Sequence, residues 1–170
     1  SGGITNQSFV ISVSNVNDLP VFTSSPVLTA DEDSVYKYNI TVTDEDLSGN
    51  VIISSSTLPS FLTLTDNGDN TAILTGIPIQ ANLGDNSVVI VATDPSGGIT
   101  NQSFVISVSN VNDLPVFTSS PVLTGNEDSV YTYNIIVTDD DNQICDITSS
   151  TLPNFLTLTD NGNNLSLIHI

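Results

Sequence analysis

The chain repeats itself at the length of a whole domain, and this restricts what it can fold into more than any other feature. The segment SGGITNQSFVISVSNVNDLPVFTSSPVLT opens at Ser1 and returns at Ser96, an offset of 95 residues. Residues 1–46 and 96–141 differ only at Ala30/Gly125, Asp31/Asn126, Lys37/Thr132, Thr41/Ile136 and Glu45/Asp140. One residue is lost after Asp46, and STLPSFLTLTDNGDN (56–70) then matches STLPNFLTLTDNGNN (150–164). Periods of roughly 20–50 residues mark solenoids, whose units share one core; a period near 95 is the size of a complete β-sandwich. The expected organisation is therefore beads on a string. Residues 1–19 read as the last strand and linker of a preceding unit. Residues 20–113 form one complete unit, and 114–164 the first part of the next. At 165–170 the repeat breaks off, TAILTGIP giving way to LSLIHI, and this tail is read as foreign to the repeat.

Within the unit the periodicity is that of strands. Tyr36, Tyr38, Ile40 and Val42 alternate with Val35, Lys37, Asn39 and Thr41, as on a half-buried strand. Phe104, Ile106 and Val108 alternate in the same way. Further runs lie at 51–54, 61–65, 71–75 and 87–93. Asp66-Asn67-Gly68 between two apolar runs is a hairpin signal, because a tight turn needs residues tolerant of positive φ. Pro20, Pro26, Pro59 and Pro78 fall between runs, where a missing N–H does no harm. About seven short strands with turn residues every ten or so positions predict an all-β fold, a Greek-key β-sandwich repeated in tandem. The unit at 114–164 should lack its last strands, and residues 1–14 carry a spare copy of the final one, able to complete it within the chain or between chains.

Charge narrows the partners. One Lys and no Arg stand against nineteen Asp plus Glu, a formal charge of −18. Nucleic acid and anionic membrane surfaces are repelled by such a chain, whereas a cation is attracted. No apolar stretch approaches the roughly 18 residues of a membrane span. Cys145 is the only cysteine, which rules out an internal disulfide and a cysteine-based zinc site. The sole histidine, His169, lies in the aberrant tail, leaving no base for Ser/His/Asp or Cys/His catalysis. No glycine-rich phosphate loop occurs. An enzyme is not expected.

The acidic residues recur at fixed places. Asn15-Val16-Asn17-Asp18 returns as Asn110-Val111-Asn112-Asp113, Asp31-Glu32-Asp33 as Asn126-Glu127-Asp128, and Asp44-Glu45-Asp46 as Asp139-Asp140-Asp141; Asp94 ends a strand-like run. Calcium takes about six to eight oxygen ligands. On extended backbone, side chains at i and i+2 point the same way, so Asp44 with Asp46 can grip one ion. Carboxylates gathered at a strand end without a cation would repel one another. Asp66 and Asp69 read as turn residues.

These motifs carry a resemblance. NVNDLPVF (15–22, 110–117) is similar to the cadherin linker, DED at 44–46 and DDD at 139–141 resemble the cadherin D-x-D, and Glu32 and Glu127 resemble the calcium-binding Glu near the start of a cadherin unit. VATDPSGG (91–98) resembles the A-x-D-x-G segment. LPSFLTLTDNGDNTAILTGIP is closer still to the dystroglycan-type cadherin-like and Ig-like repeats of large bacterial surface proteins. The resemblance implies calcium at the junctions between units. It would be held at one by Asn15, Asn17, Asp18, Asp44, Asp46 and Asp94, and at the other by Glu32, Asn110, Asn112, Asp113, Asp139 and Asp141. It departs at 79–84, IQANLG, where cadherins carry an acidic D-R-E; that implies fewer ions or weaker binding. The function implied is an extracellular, cell-surface adhesive or structural module. Its partners are the neighbouring repeats and a surface protein or glycan ligand. The alternative is a calcium-independent spacer or carbohydrate-binding module attached to a secreted enzyme.

Overall fold

The computed structural model describes residues 1–46 and 49–169; Leu47 and Ser48, where the repeat loses its residue, and Ile170 lie outside the described residues. Residues 20–109 form a sandwich of two four-stranded sheets. One sheet has the order β1 (Val21–Phe22), β3 (Tyr36–Thr43), β6 (Thr71–Gly76), β5 (Leu62–Asp66), and the other the order β2 (Thr29–Asp31), β8 (Ile99–Ser109), β7 (Gly84–Thr93), β4 (Ile52–Thr57). Two short strands, β1 and β2, flank Ser25-Pro26. β1 pairs antiparallel with β3, and the chain then crosses to the other sheet, where β2 pairs parallel with β8. Proline fixes φ and lacks an N–H, so it sits at the crossing rather than in a ladder.

The alternation works as the period-2 rule requires. Tyr36, Tyr38, Ile40 and Val42 face inward from β3, while Val88, Ile90 and Ala92 from β7 and Ile106 and Val108 from β8 oppose them. Leu74 and Ala72 of β6 and Ile53 of β4 complete the core. Burying hydroxyls requires partners: Tyr36 donates to the Val27 carbonyl and Tyr38 to Gln102 Oε1. Burial, with Tyr38 alongside, pushes the Tyr36 hydroxyl up to about 12. Tyr38 also meets Phe104 edge-on at 5.9 Å. Asp66 does more than turn the hairpin: its two carboxylate oxygens accept from Gly68 N and Ile53 N, each at 3.0 Å, tying the β5–β6 turn to β4 in the opposite sheet.

From 114 onward one sheet repeats and the other does not. The strands β9 (Val116–Phe117), β10 (Thr132–Thr138), β12 (Leu165–His169) and β11 (Thr157–Asp160) form a sheet in the order β11-β12-β10-β9, the counterpart of β5-β6-β3-β1. The tail supplies β12: Leu165 pairs with Ile136 and His169 with Thr132, as Thr71 pairs with Thr41 and Thr75 with Lys37. Residues 124–126 and 146–151, counterparts of β2 and β4, are not strands. The reason is topological. In the complete unit β2 pairs only with β8 and β4 only with β7, and the described residues contain no further copy of β7. A small core of Ile135, Val137 and Ile147 remains. Residues 1–19 are exposed, and 1–14 complete no sheet within the chain.

Candidate functional site

Both ends of the sandwich gather carboxylates, and the sequence repeat makes their geometry nearly the same. At the first junction Asp18 N–H donates to Asp46 Oδ2 at 2.6 Å; at the second, Asp113 N–H donates to Asp141 Oδ2 at 2.7 Å. Asp46 N–H and Asp141 N–H each donate back to the carboxylate two residues earlier, Asp44 at 2.9 Å and Asp139 at 3.0 Å. These Asx-type bonds fold each D-x-D into a bracket around the incoming linker.

At the first junction Asn15 Nδ2 donates to Asp46 Oδ1 and Asn17 Nδ2 to Asp94 Oδ2, at 2.6 and 2.9 Å. Asp94 is buried, and it also accepts from Ser96 N and Gly98 N. The Asn17 amide first, and these backbone N–H groups with it, outweigh burial and hold its carboxyl below the usual range. At the second junction Glu32, only 2% exposed, comes together with Asp113 and Asp141, one carboxylate oxygen of each lying within 4.8 Å of the others. Glu32 Oε2 accepts a long 3.4 Å bond from Val111 N–H. Burial first, then the charges of Asp33, Asp113 and Asp141, raise its pKa above the ordinary value. Burial and the charges of Asp33 and Asp141 likewise raise that of Asp113. Asn112 donates to the Asp113 carbonyl and accepts from Gln143, while Asn110 is exposed beside Val111.

The twelve residues expected from sequence thus fall at two junctions, and most join their bonded networks. The donor set is all oxygen, as a hard divalent cation requires. Asp44 Oδ2 and Asp141 Oδ1 are buried with no hydrogen-bond partner, an arrangement that a cation would satisfy. Two further participants lie inside the quoted motifs but were not among the expected ligands. Asp33, at φ 55°, adds its charge to Glu32 and Asp113. Gly98 packs so closely that a Cβ there would clash with Asp94 Oδ2 and lie 2.8 Å from Leu19 Cδ2 and 2.9 Å from Asn17 Nδ2. The signal for Gly98 was its place four residues after Asp94.

Two face-to-face sheets, with the two halves of the first strand divided between them and acidic segments at both ends, define an immunoglobulin-like sandwich. The chain belongs to the family described as "Putative Ig domain", whose model matches residues 19–109. No curated protein sequence matches it. Among solved structures it is similar to an endo-fucoidan hydrolase of glycoside hydrolase family 107, at 25% identity and a TM-score of 0.50, over 89% of this chain and 24% of the hydrolase. It is also similar to the SrpA adhesin from Streptococcus sanguinis, at 17% identity and a TM-score of 0.50, over 92% of this chain and 89% of the adhesin. Extracellular cadherin domains 3–6 of protocadherin gamma B2 align at 16% identity and a TM-score of 0.48, over 88% of this chain and 38% of theirs. The chain therefore spans about a quarter of the hydrolase's length.

Proposed function

We propose that the chain is a non-catalytic segment of an extracellular, surface-exposed array, in which calcium at the junctions stiffens adjacent sandwiches into a rod for adhesion. The convergence of Glu32, Asp113 and Asp141 carries this reading: three carboxylates from one unit, the linker and the next unit meet within 4.8 Å, and Glu32 is buried. Left as they are, these charges repel one another; a divalent cation would convert the repulsion into a crosslink. Asp44, Asp46, Asp94, Asn15, Asn17 and Asp18 would serve the other junction, with Asn110, Asn112 and Asp139 supplementing the second. The partners proposed are neighbouring repeats and a surface protein or glycan.

Extracellular modules bind calcium with a Kd of roughly 10⁻⁴–10⁻³ M, so 10 mM ion would stabilise the folded chain by about 1.4–2.7 kcal/mol. Melting is compared in excess EDTA and in calcium. The expected result is a higher Tm with calcium, and a smaller rise in the Asp139→Ala/Asp141→Ala variant. An identical Tm in both buffers refutes the reading. A second reading, a spacer beside a secreted carbohydrate-active enzyme, draws on the similarity to the fucoidan hydrolase. It predicts no calcium response and a catalytic domain in the same polypeptide.

A further inference from the structure

The same exposed turn carries an Asn-Gly pair in both units, Asn67-Gly68 before β6 and Asn161-Gly162 before β12. This dipeptide is open to attack on itself. The glycine nitrogen stands beside the asparagine side-chain carbonyl carbon, and no Cβ on the glycine obstructs its approach. The two backbones are held alike. Gly68 and Gly162 have φ of 74° and 67°. Their N–H groups donate to Asp66 Oδ1 at 3.0 Å and Asp160 Oδ1 at 3.1 Å. Asn67 N–H and Asn161 N–H each donate across the hairpin at 3.0 Å, to the carbonyls of Thr71 and Leu165.

The side chains are held differently. Asn67 Nδ2 donates to Thr71 Oγ1 at 2.8 Å. The Thr71 hydroxyl spends its own proton on Asp69 Oδ1, 2.5 Å away, so it can only accept from Asn67. At the second turn Leu165 stands in place of Thr71 and Asn163 in place of Asp69, and no threonine hydroxyl is there to receive the Asn161 amide.

We infer that the two Asn-Gly turns are sites of self-modification, at which the chain converts asparagine to aspartate and isoaspartate, and that Thr71 sets the pace at the first. The glycine N–H gives up its proton and its nitrogen bonds to the asparagine Cγ. The Cγ–Nδ2 bond breaks, and the amide nitrogen takes up a proton and leaves as ammonia. Water then opens the cyclic imide at either carbonyl, which leaves an aspartate or an isoaspartate and one further negative charge. Water is the only co-reactant.

Ring closure requires the asparagine side chain to turn until Cγ faces the glycine nitrogen. Asn67 must first release Thr71; Asn161 has no such bond to release. Both glycines must leave a carboxylate, and that shared cost cancels between the turns. The product alters the fold locally. A carboxylate at position 67 stands between Asp66 and Asp69 and is repelled by both. In isoaspartate the backbone runs through the side-chain carbons, and the added methylene carries the position 67 N–H out of register with the Thr71 carbonyl. The turn that Asp66 ties to β4 loosens as the protein ages.

The intact chain, incubated at mildly alkaline pH, tests the inference. Conversion at each asparagine is read by peptide mass, and isoaspartate by enzymatic methylation. Conversion is expected at both turns, with Asn161 ahead. The second turn belongs to the unit with the smaller core, so the deciding comparison stays within the central unit. Thr71→Val should quicken conversion of Asn67 about 2- to 12-fold, the span of one net hydrogen bond, and leave Asn161 unchanged. Thr71→Ser keeps the hydroxyl and should keep the slow rate. Amide exchange at Tyr38 and Leu74 reports that the core is intact in both variants. No conversion at either turn overturns the inference. So does an Asn67 rate that Thr71→Val leaves unchanged, or one that Thr71→Ser and Thr71→Val raise equally.

Discussion

Gly98→Ala probes how the first linker is fastened. Gly98 has no positive φ, so alanine meets no backbone strain there; the cost is steric. The new methyl group would lie 2.8 Å from Leu19 Cδ2, against about 3.5–4.0 Å for an ordinary carbon contact, and in the path of the Asn17–Asp94 bond. Leu19, Asn17 and Asp94 must give way by about 1 Å. Overpacking of this kind costs about 1–3 kcal/mol, and the lost flexibility of glycine in the unfolded chain returns about 0.4–1. At the middle of these ranges a net loss of about 1.3 kcal/mol remains, equivalent to a fall in Tm of about 5–10 °C for a unit of this size. The assay is calorimetric melting with amide exchange of residues 15–19, which should quicken as Asn17 is released. Gly125→Ala is the control: its Cβ would meet Tyr131 at an ordinary 3.5 Å, and Ala30 fills that place one repeat earlier. An unchanged Tm and unchanged exchange in Gly98→Ala would refute the reasoning.

Further expectations concern the core and its ties. Leu74→Ala removes a side chain with no exposed surface and should cost about 2–5 kcal/mol in denaturant unfolding of the central unit. Asp66→Asn loses one carboxylate acceptor and strands either Gly68 N–H or the buried Ile53 N–H; a loss of about 1–3 kcal/mol should appear in the same assay. Gly162 N–H, then Ile147 N–H, hold the carboxyl of Asp160 below its ordinary 3.8. A depressed pKa adds stability above the unfolded value, and that stability is lost as the pH falls below it. Amide protection at Ile147 should therefore decline below pH 3.8, and Asp160→Asn should abolish that dependence.

The fold was legible where one face of a strand is buried. Alternation from Tyr36 to Val42 marked β3, and Asp66-Asn67-Gly68 marked the hairpin, because both signals are local. The split at Pro26 was not legible. Pro26 announced a break, but which sheet each half joins depends on β3 and β8, which lie far along the chain. The tail's role as β12 escaped for a related reason: LSLIHI differs from TAILTG in sequence, yet backbone pairing with β10 asks only for extended residues. The junctions were legible as motifs, since i and i+2 carboxylates declare themselves. What remained hidden was the role of groups without a charge to advertise, the Val111 N–H and the missing side chain of Gly98.

The split first strand also determines how the unit bears load. The chain enters the unit through β1 and then β2 and leaves through β8; β2 and β8 run parallel and side by side, so the points of entry and exit lie at opposite poles of the sandwich. Tension along the array pulls them past each other instead of peeling them apart. The bonds from Ser107 N–H to Leu28 and from Glu32 N–H to Ser109 are then strained together and must fail together. The seam is strongest along the axis on which neighbouring units pull.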